Sequence, residues 1–404
     1  MRIEDAVLAF VVAMAIAVVL TPATRLLARR AGAMAMPNER GLAQVPTPQW
    51  GGLAILIAVM VAAAIWMPAT IHLPHTAHGP RGSGGTVHTW TILLGALVIT
   101  LVGALDDYHE LHPLLKLAGQ IAAAVIVVEG GAVVTDITLP IFGNFQFPNA
   151  GGALTVIWLV GLMNVVNFSD GVDGLAAGLC AIDGIAFAVI AFNLGVAGAG
   201  TLAALTAGAA IGFLFYNFHP ASIFMGDSGA NLLGYLLGVA AVIGSLKTNV
   251  VVALVVPLVI LAVPFLDGGF VIAKRLKYRR SPLRADANHF HHRMARIGFS
   301  QRRTVAYLYG WSLLLAGVAV ALRFVPYHDH RAPFHYHPGW VILMAVLAVL
   351  AVAASVYLVY VLEILKWGTG RSRELKRIEP DTSEHEIEAQ LRQDFETGEF
   401  ERVP

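Results

Sequence analysis

The chain has 404 residues, of which 57% are hydrophobic and only 13% are charged, with a net charge of +1. Together with a mean hydropathy of +0.69, this composition excludes an ordinary soluble domain. It predicts an all-α integral membrane protein that crosses the bilayer many times. The near-neutral charge gives no reason to expect a nucleic acid partner. Cys180 is the one cysteine, which excludes internal disulfides and thiolate metal clusters.

Apolar stretches of about 20 residues, the length that crosses hydrocarbon as a helix, recur along the chain. Eleven spans are predicted, near residues 5–25, 51–68, 88–105, 115–134, 150–167, 174–193, 198–218, 230–246, 249–272, 304–324 and 339–362. Between the fourth and fifth spans, residues 135–147 alternate around Gly143 and Asn144, which predicts a short β-hairpin on the outer, periplasmic side. We therefore expect a transmembrane domain over residues 1–362, including a catalytic loop at 274–303, and a cytoplasmic tail over 363–404.

Lys and Arg residues are distributed unevenly between the two sides of the predicted membrane domain. If the N-terminus lies outside, the inner segments hold 22 of the 27 Lys and Arg residues, so the positive-inside rule favours an N-out, C-in orientation. Four polar strings, GALDD, NFSDGVDG, FMGDSG and HFHHR, then all emerge on the cytoplasmic face. Side chains far apart in sequence are thus expected to meet there.

The string GALDD ends the third span with two adjacent carboxylates, Asp106 and Asp107. Adjacent carboxylates repel each other unless a cation or metal is near, so the pair suits Mg²⁺ binding or proton abstraction. A helix cap or a solvated turn is the structural alternative. Lys116, at the start of the fourth span, is expected to return a cation to the same interface, where a phosphate is its natural partner.

The fifth span ends in a string with amides and carboxylates at regular spacing. Asn164, Asn167, Asp170 and Asp173 recur every three residues, so they form one stripe for as long as the helix continues. Hard oxygen ligands in this pattern suit Mg²⁺ with retained waters, with Mn²⁺ as an alternative metal. Capping of the helix end is the structural alternative.

The string FMGDSG places Asp227 between glycines, which allow the backbone to approach a ligand closely. One carboxylate together with substrate phosphates is a common way to hold Mg²⁺. Phe224 provides either ordinary packing or an aromatic face on which a base can stack.

The predicted cytoplasmic loop at 274–303 contains His289, His291, His292 and Arg293 among further cations. We interpret this group as a binding site for an anion such as a diphosphate. Zinc is the competing interpretation, but adjacent histidines are poorly spaced for a tetrahedral centre and no cysteine is near.

Four segments resemble, in the same order, the signature segments of the polyprenyl-phosphate N-acetylhexosamine-1-phosphate transferases: GALDDYHELHPLLKLAGQ, NVVNFSDGVDGLAAGL, YNFHPASIFMGDSGANLLG and ADANHFHHRMARIGFS. The form HFHHRM is more similar to the WecA/TagO branch, which uses UDP-N-acetylglucosamine, than to the phospho-N-acetylmuramoyl-pentapeptide branch. The resemblance implies Mg²⁺-dependent transfer of a sugar-1-phosphate from a UDP-sugar to undecaprenyl phosphate, with release of UMP. It implies a site on the cytoplasmic face of the bacterial inner membrane, a role in starting a cell-envelope glycan, and compatibility with a homodimer.

The resemblance also implies residue roles. Asp227 would be the leading Mg²⁺ ligand, with Asn167 near the metal or the diphosphate. Asp106 and Asp107 would position or deprotonate the lipid phosphate, assisted by Lys116.

The remaining residues would bind the nucleotide sugar. Asp173 and Phe224 would hold the uracil, and Asn164 and Asp170 belong to the substrate site without a specific role. The loop residues that would contact the diphosphate and the sugar are His289, His291, His292 and Arg293.

A secondary transporter is an alternative from a different class, because transporters also carry Asp and Asn around broken helices. Such a protein should have its polar residues near mid-span and should have related halves, whereas here the polar strings lie at span ends. Asp183, inside the sixth span, is the exception, and a hydrogen bond to a neighbouring helix would account for it.

Overall fold

The computed structural model describes residues 2–36, 46–73, 85–134, 136–139, 143–146, 149–245 and 300–324, with scattered helical residues between 339 and 353. These residues form a mostly helical protein with three short two-stranded sheets. In this part of the chain, seven helices are long and apolar enough to cross a membrane, and one further apolar helix, Gly51–Trp66, is shorter. The prediction of a mostly helical protein with several membrane spans is therefore confirmed, by the length and composition of these helices.

The helices follow the predicted spans in order. The first five are α1 (Ile3–Ala31), α2 (Gly51–Trp66), α3 (Thr89–His109), α4 (Pro113–Glu129) and α5 (Gly151–Ser169). The next four are α6 (Leu175–Asn193), α7 (Ala197–Asn217), α8 (Gly226–Ser245) and α9 (Gln301–Phe324). The span predicted at 249–272, most of the one at 339–362 and the tail at 363–404 lie outside the described residues.

Among the described residues, three antiparallel strand pairs lie in the connections between helices. They are β1 (Met34–Ala35) with β2 (Thr47–Pro48), β3 (Thr70–His72) with β4 (Thr86–His88), and β5 (Asp136–Leu139) with β6 (Gly143–Gln146). In the last pair Leu139 faces Gly143 and Thr138 faces Asn144. Two antiparallel strands therefore pair within residues 135–147, where a hairpin was predicted, but Gly143 and Asn144 belong to its second strand and not to the expected turn.

The centre of the bundle is formed by α7 and α8, which are buried on nearly all sides. Both helices are rich in Ala and Gly, and small residues let neighbouring membrane helices approach closely. By contrast, α1 exposes large apolar side chains such as Val7, Leu8 and Val19, as a helix that faces lipid does. Since α8 contacts α2, α3, α5, α6 and α7, groups at its first turn can meet groups from several helices.

Glycines bring α2, α3 and α8 together almost backbone to backbone at one end of the bundle. A Cβ on Gly52 would collide with the main chain of Ser228 and Gly229, and a Cβ on Gly103 would lie 2.5 Å from Ser228 Cα. The beginning of α8 is thereby pressed against the part of α3 that carries the GALDD string.

The loop between α7 and α8 is held by main-chain hydrogen bonds. Phe224 N donates to Pro48 O at 2.8 Å, and the N–H groups of Gly51 and Gly52 donate to Phe224 O and Met225 O at 3.1 Å each. The segment that leads into α2 therefore fixes the loop that leads into α8.

We predict that Gly103→Ala destabilises the protein, because the new Cβ would meet main-chain atoms of Ser228 that have no room to move. Overpacking of this kind costs about 1–3 kcal/mol of unfolding free energy. Thermal unfolding in detergent measures the loss.

The matched control is Gly161→Ala in α5, where nothing lies within 4 Å of the new Cβ. Replacing a helical glycine by alanine there should stabilise the protein by about 0.5–1 kcal/mol. Equal melting temperatures for the two variants would contradict the close packing of α3 on α8.

Candidate active site

Lys116 connects three helices at one end of the bundle. Its Nζ forms an ion pair with Asp106 Oδ2 of α3 and lies 3.3 Å from Asp227 Oδ2 of α8. The second oxygen of Asp106 accepts a hydrogen bond from Leu111 N at 2.7 Å, so the same buried carboxylate fixes the turn between α3 and α4. Lys116 therefore meets the carboxylates as its sequence position predicted.

Asp107 caps α8 from a neighbouring helix. Its Oδ1 accepts from Asp227 N at 2.7 Å and its Oδ2 accepts from Ser228 N at 3.3 Å. The first N–H groups of a helix have no carbonyl partner within it and carry a partial positive charge, so a carboxylate stabilises them. Gly226 makes the approach possible, since it has a φ of +71° and a Cβ on it would collide with the Asp107 carboxylate.

The helix α5 ends within the predicted polar stripe. Asn164 and Asn167 lie on the helix, which ends at Ser169, and Asp170 is the residue that caps its C-terminus. Asp173 lies in the turn that follows. The spacing of three thus forms a continuous helical stripe only over the two asparagines.

Asp173 ties this turn to the loop between α7 and α8. Its Oδ2 accepts from Ala221 N at 3.0 Å and lies 2.8 Å from His219 Nδ1. The next residue strengthens the link, because Gly174 N donates to Asn217 Oδ1 at 3.0 Å. Phe224 lies at the far end of this loop and is partly exposed. Asp173 and Phe224, the two residues expected to hold the uracil, therefore belong to two segments that hydrogen bonds join.

Negative charge accumulates around Asp170. Burial, and then the charges of Asp227, Asp107 and Asp173, raise the pKa of Asp170 well above its ordinary value. In the described part of the chain, Lys116 is the only Lys or Arg that forms an ion pair with these carboxylates. Within the described residues, the carboxylates at this site therefore outnumber their cationic partners, an arrangement that a bound cation would stabilise.

Carboxylate and amide oxygens at this end of the bundle are the types of donor that a hard divalent cation prefers. Among the described residues, no group of three or more His, Cys, Asp or Glu side chains is arranged to hold a metal. Mg²⁺ does not need such a cage, because it commonly binds one or two carboxylates, waters and substrate phosphates. Asp227 and Asp170, whose charges interact, are candidate carboxylates for such an ion, and Asn167 is a candidate amide. All three offer hard oxygen donors.

A chain of amides, which the sequence analysis missed apart from Asn164, runs beside the carboxylates. Asn164 Nδ2 donates to Gln120 Oε1, Gln120 Nε2 donates to Asn231 Oδ1, and Asn231 Nδ2 donates to Asp227 O, each at 2.8 Å. Asn164 thus lies among amides, and its place in the substrate site stays a prediction. The available signal was an amide four residues after Lys116 and another four residues after Asp227.

Of the other polar residues singled out in the sequence, some lie outside the described residues and one lies within them. His289, His291, His292 and Arg293 lie outside the described residues. Asp183 is fully buried in α6 and accepts a hydrogen bond from Ser312 Oγ of α9 at 3.0 Å. The predicted hydrogen bond to a neighbouring helix is therefore confirmed.

Known proteins match most of this chain. The sequence profile of glycosyl transferase family 4 matches residues 89–245. The chain is 33% identical, over 80% of its length and 86% of the relative's, to the probable undecaprenyl-phosphate N-acetylglucosaminyl 1-phosphate transferase of Bacillus subtilis. It is 36% identical, over 75% and 78%, to the decaprenyl-phosphate N-acetylglucosaminephosphotransferase of Mycolicibacterium smegmatis. It is 31% identical, over 68% and 83%, to the phospho-N-acetylmuramoyl-pentapeptide-transferase of Geobacillus kaustophilus.

We predict that the burial of Asp170, together with the carboxylates around it, makes the stability of the protein depend on pH. The folded protein binds the Asp170 proton more tightly than the unfolded chain does, so the free energy of unfolding falls as the pH rises above about 4 and until the raised pKa is passed. Asp170→Asn removes this loss. Without divalent metal, the variant should match the wild type near the lower end of this window and exceed its melting temperature at neutral pH.

The control variant is Glu110→Gln, which changes an exposed carboxylate. Its melting temperature should follow that of the wild type across the pH range. If the difference in melting temperature between Asp170→Asn and the wild type did not change with pH, the raised pKa of Asp170 would be contradicted.

Proposed function

This chain belongs to the polyprenyl-phosphate N-acetylhexosamine-1-phosphate transferase family, and on that basis we propose that it transfers N-acetylglucosamine-1-phosphate from UDP-N-acetylglucosamine to undecaprenyl phosphate. The observation that carries this proposal is the meeting of Asp106, Lys116 and Asp227 from three helices at one end of the bundle. Relatives named for N-acetylglucosamine transfer match at 33% and 36% identity. The pentapeptide transferase matches at 31% over a smaller share of the chain, so that substrate is the weaker candidate.

We further propose eleven spans in an N-out, C-in orientation, with the β5–β6 hairpin outside and the site on the cytoplasmic face of the bacterial inner membrane. The distribution of 22 of the 27 Lys and Arg residues on the inner segments supports this orientation. A water-soluble nucleotide and a lipid phosphate can meet only at such an interface.

Each substrate has a proposed partner at this interface. Lys116 is the natural partner of the lipid phosphate, because its ammonium donates to phosphate oxygens and its side chain is 37% exposed. Asp173 and Phe224 would hold the uracil. Asp227, Asp170 and Asn167 would hold Mg²⁺.

The loop histidines and Arg293 would complete the nucleotide-sugar site. Hydrogen bonds from His289, His291, His292 and Arg293 to the diphosphate would balance its charge as the bond breaks.

The proposed reaction is an in-line displacement at phosphorus. An oxygen of the lipid phosphate attacks the β-phosphorus of the UDP-sugar, the bond from that phosphorus to the bridging oxygen breaks, and UMP leaves with the electron pair. Mg²⁺ at this site would neutralise charge on the diphosphate. Lys116 holds the attacking phosphate, and Asp106 holds Lys116 in place. Asp107 keeps the first turn of α8, and with it Asp227, in a fixed position.

A two-step route through an aspartyl phosphate is the alternative mechanism. It would give ping-pong kinetics and would release UMP before the lipid binds. The direct route requires both substrates before UMP appears.

We predict that purified protein in detergent converts radiolabelled UDP-N-acetylglucosamine and undecaprenyl phosphate to a labelled lipid and UMP, and that a chelator stops the reaction until Mg²⁺ or Mn²⁺ is added. Asp227→Ala should lower turnover on the order of 10²-fold or more, since it removes charge stabilisation at the reacting phosphate.

Asp183→Asn is the control, because it changes another buried carboxylate but keeps an oxygen for Ser312. This variant should retain turnover. Full turnover by Asp227→Ala, or full turnover with chelator, would refute the assignment of Asp227 to a metal site.

A further inference from the structure

Two polar contacts, one turn apart, join α4 to α8. The first is the ion pair between Lys116 and Asp227. The second is the hydrogen bond from Gln120 Nε2 to Asn231 Oδ1 at 2.8 Å. Gln120 follows Lys116 by four residues and Asn231 follows Asp227 by four, so each helix presents its two groups on one face, one turn apart.

The second contact is buried and fixed on both sides. Gln120 and Asn231 are only 4% and 5% exposed. The oxygen of Gln120 accepts from Asn164 Nδ2 of α5, and Asn231 Nδ2 donates to the main-chain oxygen of Asp227, at 2.8 Å in both cases. These partners orient both amides, so neither can rotate without the loss of a buried hydrogen bond, which is costly.

The ion pair alone gives weaker control of position. A lysine ammonium is a point charge on a flexible stem, and Lys116 is partly exposed. Moreover, α4 packs mainly against α3 and α5 and meets α8 at few points. The amide contact is therefore a buried and oriented contact that, together with the packing of α4 on α3 and α5, fixes the position of α4 along α8.

We propose that Gln120 and Asn231 are positioning residues. They hold α4 at the position along α8 where the ammonium of Lys116 reaches both Asp227 and the phosphate of the lipid acceptor. This inference rests on the proposed function, because it assigns the contact to use of the lipid substrate. It assigns no direct contact with substrate to either amide.

The test compares Gln120→Met, which keeps the length of the side chain without its hydrogen bonds, with Thr155→Val. Thr155 is a buried residue of α5 that bonds to Gly151 O and Val134 N, so Thr155→Val also removes buried hydrogen bonds but leaves Lys116 untouched. Asn231→Ala removes the same contact from the α8 side and serves as the second variant should Gln120→Met fold poorly.

The kinetic readout is the dependence of rate on each substrate. Because displacement of a reacting group by about 1 Å can cost up to about 100-fold, Gln120→Met should lower kcat/KM for undecaprenyl phosphate by at least tenfold, whereas KM for UDP-N-acetylglucosamine stays within about twofold. Thr155→Val should leave both unchanged. In a Lys116→Met background, Gln120→Met should cause no further loss of kcat/KM for undecaprenyl phosphate.

A second readout does not depend on activity. In ligand-free protein, an amine-reactive reagent followed by mass spectrometry should modify Lys116 several-fold faster in Gln120→Met than in the wild type or in Thr155→Val. If the wild type has no transferase activity, the proposed function fails and the labelling result alone decides whether the amides hold Lys116.

Three results would overturn the inference. The first is an unchanged labelling rate at Lys116. The second is a loss of kcat/KM that follows melting temperature equally in Gln120→Met and Thr155→Val. The third is a full multiplicative loss when Gln120→Met and Lys116→Met are combined.

Discussion

The hydrogen bonds from the first N–H groups of α8 to the carboxylate of Asp107 are the contacts on which the rest of the site depends. They fix the start of α8 against the end of α3, and Gly52 and Gly103 let the main chains of α2 and α3 lie directly against Ser228. Asp227 lies in that first turn, so its carboxylate is placed by the same cap. Adjacent carboxylates thus have different surroundings, since Asp107 binds a helix end and Asp106 binds Lys116.

The electrostatics of this arrangement are unfavourable in the absence of ligands. Asp170 lies near the carboxylates of Asp227, Asp107 and Asp173. Of these three, only Asp227 pairs with Lys116, which it shares with Asp106. A protein that needed only a stable fold would neutralise this group with further cations, whereas a binding site for a metal and a diphosphate needs the charge to stay available. Functional sites commonly retain such locally unfavourable groups.

The order of the described helices could be predicted from the sequence, because it depends on the lengths of the apolar spans. The position of Lys116 at the start of the span after Asp107 predicted that its side chain returns to the carboxylates. The start of α8 was predicted near residue 230 but lies at Gly226, since polar Asp227 and Ser228 interrupt the apolar run although their N–H groups are capped by Asp107. The contact of Gln120 with Asn231 could not be predicted, because it depends on how two helices are rotated about their axes.

The most direct test of the central claim is the side of the membrane from which the ends of α3, α5 and α7 can be reached. Single cysteines replacing Tyr108, Gly171 and Phe218, all exposed, would be treated with a membrane-impermeant maleimide in a Cys180→Ala background. Glu129, exposed at the other end of α4, provides the opposite-side control. The account predicts that the three cysteines react only in inside-out vesicles and that the control reacts only in right-side-out vesicles. Reaction of any two of the three from opposite sides would contradict it.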